Sequence, residues 1–127
     1  MSKEQKYLSI NDIRAYRKAF ELSNKVWKII EHWEYFPKST VGSQLARSID
    51  SISANIAEGF GRYSRKDKVR FYIIARGSVI ECLDWIEKAK ERELLKRVDY
   101  DYIFDELNML PKEINWLIKY TNKKLKV

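Results

Sequence analysis

Ser51-Ile-Ser-Ala-Asn-Ile-Ala-Glu-Gly-Phe-Gly-Arg-Tyr-Ser64 decides the fold. It opens as an amphipathic helix, breaks at Gly59 and Gly61, and hands over to a basic segment. Ser51, Ser53, Ala54, Ala57 and Gly59 are small enough for a second helix to approach closely. Asn55 and Glu58 place polar groups beside that contact. Working back from Ser51, Val41, Leu45, Ile49, Ile52, Ile56 and Phe60 recur at steps of three and four, which predicts a buried helical stripe. Ser39 or Thr40 is the expected cap, and Gly59 and Gly61 are expected to end the helix through left-handed geometry.

The same spacing extends in both directions. Upstream, Ile13, Tyr16, Phe20, Trp27 and Ile30 form a stripe, widened by Ala19, Leu22, Val26, Ile29 and Trp33. Asn11 or Asp12 would cap that first helix, and Pro37 would close the segment by biasing Phe36 away from helix. Downstream, Ser64 and Asp67 resemble a capping box. The third helix should turn Phe71, Ile74, Ala75, Ser78, Cys82, Trp85 and Ala89 inward and run to about Arg92. Asp99 would cap a fourth, with Val98 stapling onto Ile103. Its stripe is Ile103, Leu107, Leu110, Ile114, Leu117 and Thr121, and Pro111 should kink it. The expected architecture is all-α: one domain over residues 1–127, an up-and-down four-helix bundle with antiparallel neighbours. The first ten residues should fray.

Composition narrows the function. The 127 residues suffice for one core, and four glycines with two prolines are too few for a strand-and-turn fold. No stretch approaches the ~20 apolar residues of a membrane span, so no membrane partner is expected. No charged-then-apolar stretch with a small-residue cleavage site is read at the start, so secretion is not expected, and a lone cysteine, Cys82, fits a reducing cytoplasm. The formal net charge is +7. Arg62, Arg65, Lys66, Lys68, Arg70 and Arg76 face Asp67 alone between positions 62 and 76. Further basic groups are Lys88, Lys90, Arg92, Lys96 and Arg97, tempered by Glu87, Glu91 and Glu93, and Lys119, Lys123, Lys124 and Lys126 at the tail. Such fields attract polyanions through counterion release, although solvated lysine faces give the same pattern.

Catalytic chemistry finds little support. A carboxylate-bridged metal pair in a bundle needs Glu-x-x-His pairs, and the single histidine, His32, has no glutamate three residues before it. No metal site and no cofactor are expected. Cys82 lies on an inward stripe without a partner histidine, where a thiol is inert. Glu58, Glu81 and Asp84 could form an acid/base set, but ion pairing with Arg47, Arg62 or Arg76 is the commoner outcome. No small-molecule substrate is indicated, so the chain reads as no enzyme. Most aromatics, Trp116 among them, read as core; Tyr63 and Tyr72, amid the basic run, are the exceptions. Ile73, Ile74, Val79, Ile80 and Ile86 make the third helix unusually apolar, which points to self-association.

Gly42-Ser-Gln-Leu-Ala-Arg-Ser48, then the Ser51–Arg62 run, then Ile74-Ala-Arg-Gly-Ser78 and Glu81 resemble the four-helix-bundle proteins encoded within intervening sequences of bacterial 23S ribosomal RNA genes. The resemblance runs from about Ile13 to the C-terminus and is strongest over residues 42–85. It implies a left-handed up-and-down bundle, a homopentameric ring and nucleic-acid binding. A related bundle group that assists reverse transcriptases points the same way. Asp50, Trp85, Pro111 and the Leu94–Val98 stretch, which stands in place of a glycine-containing turn, depart from the family pattern.

Two readings follow. In one, Arg62, Arg65, Lys66, Lys68 and Arg70 contact the phosphates of RNA or DNA, with Tyr63 stacking. Gln44, Arg47, Asn55, Glu58, Gly59, Gly61, Gly77, Ser78 and Glu81 then fix the second and third helices and their contact with a neighbouring subunit. In the other, the chain is an assembly or scaffold protein with a protein partner and no nucleic acid.

Overall fold

Ile52 and Ile56, one helical turn apart, are wholly shielded from solvent, as are Leu45 and, almost completely, Ile49. The stripe read from spacing is therefore the seam about which the molecule is organised. The computed structural model describes residues 8–124. A single turn of 3-10 helix at Ile10–Asp12 precedes α1, Arg14–Ile30. One helical turn at Tyr35–Pro37 and a π-helical turn at Lys38–Gly42 lead into α2, Ser43–Phe60. α3 is Arg65–Glu91 and α4 is Arg97–Lys124. No strand occurs among the described residues. Residues 1–7, where fraying was expected, and Lys126 lie outside them.

α1 packs on α2 and α4, α2 on α3, and α3 on α4, enclosing one apolar cluster fed by all four helices. Partner residues run in opposite chain directions across the α2–α3, α3–α4 and α1–α4 seams. Gly59 lies against Tyr72, and Ser48 bonds to Cys82. Arg65 bonds to Asn122 and Arg76 to Asn115, while Tyr100 reaches Glu87. Arg14 pairs with Glu113 at 2.9 Å and Lys18 with Glu106 at 3.4 Å.

Several local expectations change. In α1 the buried face is Ala15, Ala19, Leu22, Val26 and Ile30, whereas Phe20 and Trp27 are about half exposed. Two overlapping apolar stripes span more of the helix than one seam can cover, and the one with alanine at its centre fits closer. Neither Asn11 nor Asp12 caps α1; Asp12 instead accepts the Ser9 amide at 2.8 Å, securing the preceding turn. Pro37 does not end a helix. It sits in the first turn of one, where its missing N–H leaves no carbonyl unserved, and Phe36 is helical with it. Ser39 and Thr40 are interior to that entry, donating back to the Phe36 carbonyl at 3.2 and 2.7 Å.

α2 ends without a left-handed glycine, since Gly61 has φ −80° and no described glycine has positive φ. The Lys68 ammonium donates to the Phe60 carbonyl at 2.7 Å instead, a cation on the negative end of the helix dipole. Ser64 caps α3 as expected, its Oγ accepting from the Asp67 amide at 3.2 Å. The inward face of α3 is Tyr72, Ala75, Val79, Cys82, Ile86 and Ala89. Phe71, Ser78 and Trp85 are only partly buried and Ile74 is exposed.

The third connection uses a left-handed residue, but it is Glu93, at φ 60°. The Leu94 amide donates to the Ala89 carbonyl at 2.8 Å and the Glu93 amide to Lys90 at 3.0 Å, the double bond of a Schellman end. α4 begins earlier than expected, which leaves Asp99 inside its first turn, favourable to the dipole, and Val98 exposed. Its predicted stripe is buried throughout, and Pro111 stands within the helix without ending it.

Candidate nucleic-acid interface

The turn between α2 and α3 brings the basic run to one end of the molecule, beside the last turns of α4. There the six predicted contact residues separate by what they already hold. Arg62 pairs with Glu58 at 2.6 Å and lies over the Phe71 ring at 4.7 Å, with its Nε buried and unpartnered. Arg70 covers the Phe71 ring at 4.6 Å and reaches Asp67 at 3.7 Å. Phe71, expected in the core, is thus a spacer between two guanidinium groups. Lys68 is committed to the Phe60 carbonyl, and burial pulls its ammonium below the usual lysine range. Arg65 donates to Asn122 Oδ1 at 3.1 Å, which ties α3 to α4. Lys66 is exposed, and Tyr63 is 93% exposed.

Tyr72 behaves differently from the sequence expectation. It is 1% exposed, and burial pushes its phenol up to about 12, partly offset by a hydrogen bond from Thr121. A methyl group on Gly59 would meet its ring at 2.7 Å, so this glycine exists for close approach of α2 and α3. Tyr72 is a core residue, not a stacking platform.

The residues assigned to structure also divide. Asn55 donates to the Ser51 carbonyl at 2.8 Å within its own helix, and Glu58 serves Arg62. The bond joining α2 to α3 comes from serines: Ser51 Oγ donates to Ser78 Oγ at 2.6 Å, and Ser78 Oγ to the Ile74 carbonyl at 3.3 Å. Cys82 adds a second link, its Sγ donating to Ser48 Oγ at 3.3 Å, with burial pushing the thiol up to about 12. Gln44, Arg47 and Glu81 are exposed, as is Gly77, where an added methyl would meet nothing within 4 Å.

The acid/base set does not assemble as such. Glu58 is held by Arg62 and Asp84 by Lys88, while Glu81 stands exposed. Among the described residues no three His, Cys, Asp or Glu side chains gather where a metal could sit, and His32 is exposed. No helix among them is long and apolar enough to cross a membrane.

One part of this end was not foreseen. Trp116 is 60% exposed rather than core, and its indole stacks on Tyr120 with centroids 5.3 Å apart and planes 14° from parallel. A cavity of about 320 Å³ opens beside the pair, lined by Phe60, Lys68 and Tyr72 on one side and Trp116, Tyr120 and Lys124 on the other. The signal was present as alternation: Trp116 and Tyr120 flank the buried Leu117 and Thr121 among Lys119, Lys123 and Lys124.

Comparison with known proteins agrees with the fold. A crystal structure of a protein of unknown function from the S23 ribosomal protein family of Bacteroides thetaiotaomicron VPI-5482 superposes with a TM-score of 0.73. It is 24% identical, and the match covers 83% of this chain and 98% of that one. No curated protein matches the chain. The family model of the 23S rRNA-intervening sequence protein matches residues 11–116, from the turn before α1 to Trp116. The chain therefore belongs to the 23S rRNA-intervening sequence protein family.

Proposed function

We propose that the protein is a non-enzymatic, oligomeric bundle, left-handed and up-and-down in order, that binds RNA or DNA electrostatically in the cytoplasm. The binding surface is the end where α3 begins and α4 finishes. The observation carrying this reading is the set of cations left over after intramolecular pairing. Lys66, Lys119 and Lys123 are exposed, and no ion pair among the described residues engages them. Tyr63, three residues before Lys66, is exposed. The carboxylates nearest in sequence, Asp67 to Lys66 and Glu113 to Lys119 and Lys123, are paired with Arg70 and Arg14. Phosphates would displace counterions from these ammonium groups, a gain that falls as salt rises.

Anisotropy of a labelled RNA, titrated across a salt series, tests it. Lys66→Glu combined with Lys123→Glu should weaken binding more than tenfold. Loss of two contacts should lower the slope of log K against log salt by about 1.4 for a single strand or 1.8 for a duplex. Absence of binding at low salt, or a slope that the double variant leaves unchanged, would sink the reading.

A second reading, assembly, has its own observation. Ile73 and Ile80 are 47% and 60% exposed, and they flank Gly77 on the outer side of α3. An apolar stripe with a glycine at its centre suits another helix. We infer self-association there, as the homopentamer that the resemblance implies, with Glu81 at the margin. The two readings are compatible, because the α3 stripe and the basic end use different residues.

A further inference from the structure

We propose that the Trp116–Tyr120 pair and the adjoining cavity seat an unpaired nucleobase, making the ligand a single-stranded nucleic acid rather than a duplex. This rests on the electrostatic reading above and specifies the strand it prefers. The rings are stacked, with centroids 5.3 Å apart and planes 14° from parallel, so Tyr120 backs an indole that is itself 60% exposed. Stacking needs a base whose face is free, which a single strand supplies and a duplex does not.

The charges around the pair suit the phosphates of such a strand. Lys119 and Lys123 rise from the same turns of α4, and Lys124 lies 6.0 Å from the Tyr120 centroid. Lys68, inside the cavity, is occupied with the Phe60 carbonyl, so the phosphate falls to the lysines at the mouth. Asp12, the one carboxylate in the lining, is engaged by the Ser9 amide. The cavity holds about 320 Å³ and its walls are largely aromatic and aliphatic, so a planar ring can enter while its sugar-phosphate stays outside.

Two labelled probes of equal phosphate count, a single-stranded RNA and a duplex of half its length, decide the matter on the full chain. The single strand should bind at least several-fold tighter. Trp116→Ala should weaken it roughly tenfold or more while leaving its salt slope unchanged and duplex binding nearly unaltered. Trp116→Phe should restore most of the loss, which a merely structural role for the indole would not predict. Equal binding of both probes, or a single strand indifferent to Trp116→Ala, overturns the stacking site while leaving the electrostatic reading standing. No binding of either probe overturns both. A change in oligomeric mass by light scattering for Trp116→Ala, with strand affinity unchanged, would make the ring pair a contact between copies and likewise overturn it.

Discussion

Gly59 and Gly77 belong to the same family-like set, yet they border opposite sides of α3. A methyl group on Gly59 would press into the Tyr72 ring at 2.7 Å and the Lys68 carbonyl at 3.0 Å, whereas one on Gly77 would touch nothing within 4 Å. The inner seam is thus complete within one chain: Gly59 on Tyr72, Ser51 on Ser78, Ser48 on Cys82. The outer face, with Ile73 and Ile80 exposed, gives its glycine no work inside the monomer. A small residue at a crowded seam is explained by its neighbours. A small residue facing open space, amid exposed isoleucines, asks for a neighbour from outside.

The largest expected effect probes the seam by pH. Burial pushes Tyr72 up to about 12 from 10.0, and Cys82 to about 12 from 9.0. Between those values the unfolded chain loses these two protons, which the folded chain keeps, as it keeps that of Tyr100, held up to about 12 by its hydrogen bond to Glu87; stability is therefore full below about pH 9 and falls as pH rises towards 12. The loss should reach several kcal/mol, at about 1.4 kcal/mol per group per pH unit. Urea denaturation at stepped pH would show it. Tyr72→Phe should flatten part of the decline, and an unaltered profile would mean the seam is wetter than described. Next in size, Gly59→Ala should cost about 1–3 kcal/mol by overpacking, despite alanine's better helix propensity, and so lower the urea midpoint. A neutral outcome would erase the distinction between the two glycines. Smallest, Gly77→Ala should stabilise the chain by about 0.5–1 kcal/mol while weakening its assembly, read as molar mass by light scattering. Added stability with unchanged mass would leave the outer face without a partner.

Spacing alone revealed the α2 and α4 stripes, because each has a run of aliphatic residues at steps of three and four that the seam buries, even though α4 also carries exposed Phe104, Met109 and Trp116. It misjudged α1 and α3, where apolar side chains cover most of the circumference and periodicity no longer marks a single face. Tyr72 and Trp116 exchanged roles because aromatic type does not mark a face: α2 at Gly59 and Thr121 of α4 close over the tyrosine, whereas the indole stays 60% exposed. The basic character of the candidate site was legible, but its division was not. That Lys68 would cap α2 and Arg62 would join Glu58 depends on where the turn places them, which charge counts do not carry. The left-handed end of α3 was hidden for a similar reason, since Glu93 occupies a conformation that glycine usually advertises.

The ion pairs between α1 and α4 have a kinetic consequence. Every other helix seam joins consecutive segments, and can form as a hairpin over a short loop. Arg14 and Glu113 are 99 positions apart, so bringing them together in an otherwise open chain costs roughly 4 kcal/mol in loop entropy. Once the three hairpins have shortened that path, most of this cost has vanished. Zipping from the turns inward, with α1 and α4 meeting last, is therefore the cheap route, and low contact order of this kind belongs to fast folding. α1 and α4 then close the molecule only after α2 and α3 are in place between them.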